Sequence, residues 1–225
     1  MEMKHIITYI IFLNCLFSYN ELHYKIRYLG FYAADCIITN KDTIYNNEHS
    51  KVINFKVKSR KIINFLFPIE NNYKIILGNN NNILYYKKNT SQPNLKNYFE
   101  TENRGGNIFY KDTKFQITSN CFNIFSMLHL LMVDKSIVPN NFTLEREGLL
   151  YSAQLNIKNN IYFLDLNLNN DNREKLIENT DIFTWALFME GSKRKFFFSE
   201  DNQYIKKCNF SKGLISLSAI LNSYK

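Results

Sequence analysis

Residues 53–58 read Ile53-Asn54-Phe55-Lys56-Val57-Lys58, with an apolar side chain at every second position. A period of two places Ile53, Phe55 and Val57 on one face of a strand and Asn54, Lys56 and Lys58 on the other. The pattern returns along the chain. Leu149, Tyr151, Ala153 and Leu155 alternate with Leu150, Ser152, Gln154 and Asn156. Leu164, Leu166 and Leu168 alternate with Asp165 and Asn167, and Ile215, Leu217, Ala219 and Leu221 with Ser216, Ser218 and Ile220. Further strands are expected over residues 22–28, 31–39, 73–77, 83–87, 114–118, 181–188, 195–199 and 203–209. Turn residues punctuate them at Gly78-Asn79-Asn80-Asn81-Asn82, Arg104-Gly105-Gly106-Asn107, Pro139-Asn140-Asn141 and Glu200-Asp201-Asn202. Short strands separated by such turns point to an antiparallel sandwich or barrel.

One stretch departs from this period: Cys121-Phe122-Asn123-Ile124-Phe125-Ser126-Met127-Leu128-His129-Leu130-Leu131-Met132-Val133. Its polar side chains, Asn123, Ser126 and His129, are spaced by three and form one narrow strip on a helix. A helix that is apolar elsewhere is buried, across a sheet face or as the plug of a barrel. Ser119 or Asn120 is the expected cap. The expected fold class is mainly β: a single antiparallel barrel-like or strongly curved sheet domain over residues 19–225, with one buried helix at about Cys121 to Val133. Residues 169–180 are the most polar, a long loop or a short helix around residues 173–178.

Composition narrows the class. The 225 residues are 45% hydrophobic and 16% aromatic, too rich in core-forming side chains for a disordered chain. Seven Gly and three Pro exclude collagen-like and linker-like sequences. The 33 Asn, and 22 Lys against 6 Arg, suggest an A+T-rich genome before they suggest chemistry. A net charge of +8 permits binding to nucleic acid or an anionic membrane surface. The lysines are scattered, however, and the densest clusters are Lys56-Val57-Lys58-Ser59-Arg60-Lys61 and Lys193-Arg194-Lys195. Cations alternating with apolar residues are expected on the solvated face of a strand. With no zinc-finger, RRM or helix-turn-helix pattern, no nucleic-acid role is expected.

The N-terminus reads as a signal peptide over residues 1–18. Lys4 supplies the positive charge, residues 6–17 the apolar run, and Ser18 a small residue for cleavage. The run is shorter than the ~20 residues a membrane span needs. No later segment is long and apolar enough to span, so the mature chain is expected to be soluble or peripheral. Acylation at Cys15 is the alternative fate, although Asn14 stands where a small residue is usual. Cys36, Cys121 and Cys208 remain, an odd number that allows at most one bridge. Burial as small apolar side chains is the simpler expectation. Without C-x-x-C, neither a structural zinc site nor a thioredoxin-like motif is expected.

Motifs for chemistry are sparse. The mature chain has His23, His49 and His129. Ser126 and His129 lie one helical turn apart, but there is no G-x-S-x-G elbow and no evident acidic partner. Glu145, Glu147, Glu200 and Asp201 are candidates for a carboxylate pair, which works only at a set separation in a cleft. P-loop, G-x-G-x-x-G and H-E-x-x-H motifs are absent from the sequence. Asn89-Thr90-Ser91, Asn141-Phe142-Thr143 and Asn209-Phe210-Ser211 fit the glycosylation pattern, as chance predicts in so Asn-rich a chain. Hence no catalytic, cofactor-binding or metal-binding residue is assigned.

Three segments, in this order, resemble an exported bacterial family catalogued as domain of unknown function 3108. Tyr24-Lys25-Ile26-Arg27-Tyr28-Leu29-Gly30-Phe31-Tyr32-Ala33-Ala34 is similar to its opening strand pair, with Ala34 where Gly is frequent. Asn123-Ile124-Phe125-Ser126-Met127-Leu128-His129-Leu130-Leu131 is similar to its central helix, without the Arg that often follows. Lys195-Phe196-Phe197-Phe198-Ser199-Glu200-Asp201-Asn202, with Tyr204-Ile205-Lys206-Lys207, Gly213-Leu214-Ile215-Ser216 and Leu221, is similar to its closing hairpin. The resemblance implies an antiparallel barrel-like fold in a bacterial envelope and no catalytic set. With the surplus of large apolar side chains, 19 Phe and 15 Tyr in a chain of alternating strands, the expected function is a non-enzymatic envelope protein holding an apolar or lipid-like ligand. A structural partner of other envelope components is the alternative, and an uncharacterised hydrolase a third reading.

Overall fold

Tight turns set the architecture. In the structure, a computed structural model describing residues 21–118, 120–169, 176, 179–201 and 203–225, half of the links between successive strands are two-residue turns. The first half holds β1 (Glu21–Tyr28), β2 (Phe31–Tyr45), β3 (Glu48–Ser59), β4 (Glu70–Gly78), β5 (Ile83–Gln92), β6 (Leu95–Arg104), β7 (Asn107–Tyr110) and β8 (Gln116–Thr118). The second holds β9 (Phe122–Asn123), β10 (Asn141–Arg146), β11 (Leu149–Lys158), β12 (Ile161–Leu168), β13 (Lys193–Phe198), β14 (Ile205–Lys212) and β15 (Ile215–Tyr224). Among the described residues three α-helices interrupt them, α1 (Lys61–Leu66), α2 (Ile124–Val133) and α3 (Ile182–Phe188), with a short 3-10 turn at Lys135–Ile137.

Two-residue hairpins need left-handed backbone, which Asn and Gly tolerate best. Asn46-Asn47 and Asn159-Asn160 close two of them with positive φ at both residues, and Gly105-Gly106 closes a third. Among the described residues, six of the nine non-glycine residues with positive φ are Asn. Part of the asparagine excess is thus conformational: it supplies the turns.

The strands form one sheet in the order β8-β7-β6-β5-β4-β3-β2-β1-β15-β14-β13-β12-β11-β10-β9. First and last strands pair at its centre, and the edges β8 and β9 are consecutive in sequence. The sheet is strongly curved and stays unclosed at that seam. Pairing is antiparallel except between β9 and β10. A parallel pair needs a crossover, and α2 supplies it. The helix runs through the interior, with Met127, Leu130 and Leu131 at most 1% exposed. Phe125 meets the rings of Phe55, Tyr73 and Tyr86 at 4.9, 4.2 and 6.2 Å.

The buried helix and the barrel-like class agree with the sequence reading. Its start does not. Residues 122–123 are extended, drawn into the sheet by pairing with Leu144 and Glu145, so the helix begins at Ile124. Its cap is Asn123, neither Ser119 nor Asn120. The Asn123 side chain accepts from the Ser126 N–H at 2.8 Å, and the Ser126 hydroxyl accepts from the Asn123 N–H at 3.1 Å. Residues 181–188, expected as a strand, form α3 instead. The Asp181 carboxylate accepts from the N–H groups of Phe183 and Thr184, a local cap that outweighs the β preference of Ile, Phe, Thr and Trp. Strands β6, β7 and β10 carry too little alternation to announce themselves and are held by their neighbours' ladders. The leader over residues 1–18 with Cys15 and Ser18, position 119, and most of residues 173–178 lie outside the described residues. Among the described residues no helix is long and apolar enough to cross a membrane.

Candidate functional site

The curled sheet, the plug and α3 wall an apolar cavity of about 110 Å³ that is partly open to solvent. Its wall comes from alternate residues of the central strands: Tyr24 and Ile26 of β1, Cys36 and Ile38 of β2, Phe55 and Val57 of β3, Cys208 and Phe210 of β14, and Leu217 and Ala219 of β15. The period of two that formed the strands therefore also decides what faces the cavity. Phe125, Leu128 and Met132 of α2 line one side, and Phe183 and Leu187 of α3 another. The few polar groups nearby are satisfied within the protein. Tyr24 donates to the Ile205 carbonyl at 2.8 Å, and the Thr184 hydroxyl donates to Asp181 at 2.7 Å. Burial pushes the thiols of Cys36 and Cys208 up to about 12, so both remain neutral.

Behind α3 lies a buried ionic cluster. Lys88 of β5 pairs with Glu147, in the β10–β11 turn, and with Asp181, the α3 cap, at 2.6 Å. Its ammonium also donates to the Thr180 hydroxyl at 2.9 Å, which donates to Glu147 at 2.7 Å. Burial works against the Asp181 carboxylate, but the Lys88 charge and the Thr184 donors outweigh it and hold its pKa below the ordinary value. Glu145 differs. Burial raises it to about 7, despite hydrogen bonds from the Gly148 N–H at 2.9 Å and the Tyr110 hydroxyl at 3.0 Å. The cluster ties the β4–β7 side of the sheet to the β10–β11 turn and anchors α3 over the cavity.

The structure sorts the residues that the sequence singled out. Glu145 and Glu147 come together, but both are at most 5% exposed and are occupied as described. Glu200 and Asp201 lie apart from them, in the β13–β14 turn, where Asp201 accepts from Ser199 and from the Gln203 N–H. The Ser126 hydroxyl donates to the Asn123 carbonyl at 2.9 Å as part of the helix cap. Burial, with Lys51 nearby, depresses His129 to about 3. Cys36, Cys121 and Cys208 are free and buried, without a bridge. Among the described residues no group of three or more His, Cys, Asp or Glu is arranged to hold a metal ion. Lys88 escaped the sequence reading. A lone Lys between Lys87 and Asn89 looks solvated, and only its place on the inward side of β5 marks it.

Together these features define a barrel-like antiparallel β protein with a helix-plugged apolar interior. No family model matches the chain, and no curated protein is significantly similar to it. Among solved structures it is similar to a beta-barrel-like protein of domain of unknown function DUF1849 from Brucella abortus. The two share 6% identity with a TM-score of 0.50, over 91% of this chain and 96% of that one. At that identity the likeness concerns the fold alone.

Proposed function

We propose that the protein is an exported, non-enzymatic cell-envelope protein that holds an apolar, lipid-like ligand in the cavity beneath α3. The cavity carries the reading: a partly open space with an almost wholly apolar wall and its nearby hydroxyls already bonded elsewhere. Dry cavities of roughly 150 Å³ take benzene or xenon, so about 110 Å³ suits the end of an alkyl chain rather than a whole lipid. The leader-like run over residues 6–17 and the resemblance to the exported family support an envelope location. A non-enzymatic role is supported by Lys88, Glu147 and Asp181, which are sealed and paired with one another. The alternative, assembly with other envelope components by strand addition, has little to work with, because the edge strands β8 and β9 are three and two residues long.

The test is to purify the chain from its native host, extract it and identify small molecules by mass spectrometry. Isothermal titration calorimetry with a long-chain fatty acid reads binding directly, since Trp185, the single tryptophan, is exposed on α3 and does not line the cavity. Co-purified acyl chains and a saturable titration are expected. An empty extract with no saturable signal would end the reading.

A further inference from the structure

Apolar side chains crowd one end of the barrel. Ile62, Phe65 and Leu66 of α1 are 81, 89 and 74% exposed, and α1 buries no residue at all. Beside them Phe31 is 77% and Leu214 94% exposed, with Leu29 at 49%. These residues are neighbours through the sheet. The Leu29 N–H donates to the Ser216 carbonyl, next to the β14–β15 turn, and the Arg60 N–H, at the start of α1, donates to the Ala33 carbonyl. Turn tips are normally polar, and Leu29 takes a φ of 49°, a conformation Asn or Gly would adopt with less strain. Around this rim Arg27, Lys58, Arg60, Lys61 and Lys212 are exposed, and among the described residues they outnumber the nearby carboxylates of Asp35, Glu70 and Glu190. The Arg60 guanidinium lies 4.1 Å from the Tyr32 ring centre, as an interfacial aromatic–cation pair would. The alternation of the Lys56–Lys61 cluster does place Lys56 and Lys58 on the solvated face of β3, but Arg60 and Lys61 run on into α1.

We propose that this end docks on an anionic lipid bilayer, with Ile62, Phe65 and Leu66 entering the boundary between headgroups and acyl chains. An apolar tip ringed by cations matches such a surface in both respects: apolar area enters the interface, and each nearby Lys or Arg adds roughly 1 kcal/mol of attraction to an anionic leaflet. The α3 end of the cavity lies at the same end of the barrel, so docking places a bound chain next to the membrane. The inference goes beyond the cavity reading and stands whether or not the cavity is filled.

Co-sedimentation of the full chain with phosphatidylglycerol–phosphatidylethanolamine vesicles tests it, with phosphatidylcholine vesicles as the neutral control. Binding to the anionic vesicles should fall at least tenfold in the double variant Phe65→Glu/Leu66→Glu, and in Arg60→Glu/Lys61→Glu. Because α1 buries nothing, both variants should melt like the parent. A second measurement isolates this face from the N-terminal run. In Trp185→Phe/Phe65→Trp, the introduced indole should shift to the blue on anionic vesicles and be quenched by brominated lipid. No quenching, equal binding to neutral vesicles, or anionic-vesicle binding that survives Phe65→Glu/Leu66→Glu would overturn the proposal. Ligand extraction reads the cavity separately, so failure of one leaves the other standing.

Discussion

Lys88 of β5 and Asp181, the N-cap of α3, meet at 2.6 Å in an interior where neither side chain is more than 1% exposed. The pair joins a strand on one side of the curled sheet to the helix that covers the cavity. Removing one partner of a buried ion pair leaves an uncompensated charge, at about 3–5 kcal/mol. Lys88→Met should therefore cost on that order in urea denaturation, with Asp181 losing its cation and Glu147 keeping only the Arg146 cation at 3.5 Å. Adding Asp181→Asn should recover part of the loss. An additive double mutant would mean that the two residues do not act as a pair.

The cavity should respond to volume. Ala219→Phe projects a ring into it and should weaken fatty-acid binding at least tenfold in calorimetric titration, while overpacking costs about 1–3 kcal/mol. Phe125→Ala acts oppositely. It removes the ring packed on Phe55 and Tyr73 and should cost about 3–5 kcal/mol in stability.

Stability should show two opposed pH limbs. Glu145 titrates at about 7 when folded against 4.5 ordinarily, so between these values the unfolded chain binds fewer protons and stability falls as pH rises. His129 is held at about 3 against 6.5, so below 6.5 the unfolded chain takes up a proton the folded chain refuses, and stability falls toward acid. From about 4.5 to 6.5 the two slopes cancel. Denaturation from pH 3 to 8 should show that plateau. Glu145→Gln should abolish the decline toward pH 7, and His129→Met should make the acid limb shallower, the depressed carboxylates of Glu100 and Asp181 supplying the rest of it.

Cys36 and Cys208 should resist alkylation. With both thiols at about 12 and buried, little thiolate exists at pH 8. Peptide mapping after iodoacetamide should find both unmodified in the native chain and modified in urea. Labelling of the native protein at either position would mean that the cavity opens readily.

Much of the fold was legible because alternation is a local property. Ile53, Phe55 and Val57 declare an inward face without reference to any other strand, and the composition of residues 124–133 declares a buried helix. Residues 181–188 misled for the same reason. Their β-favouring side chains are visible in sequence, whereas the carboxylate that caps them as a helix acts through geometry. Strand β6 was missed because its wetter face carries Lys96, Tyr98 and Glu100, and only lateral pairing with β5 makes it a strand.

Period and turn chemistry alone determined that this chain makes short antiparallel strands around one greasy helix, since both depend on residues within one or two turns of each other. Which strands meet was decided only by the tertiary structure, because it depends on contacts between distant segments. That is how β1 comes to lie beside β15, how Lys88 finds Asp181, and how Leu29, Phe65 and Leu214 gather at one rim. A single Lys or an exposed Leu carries no local mark of its partner, and the curling of the sheet supplies it.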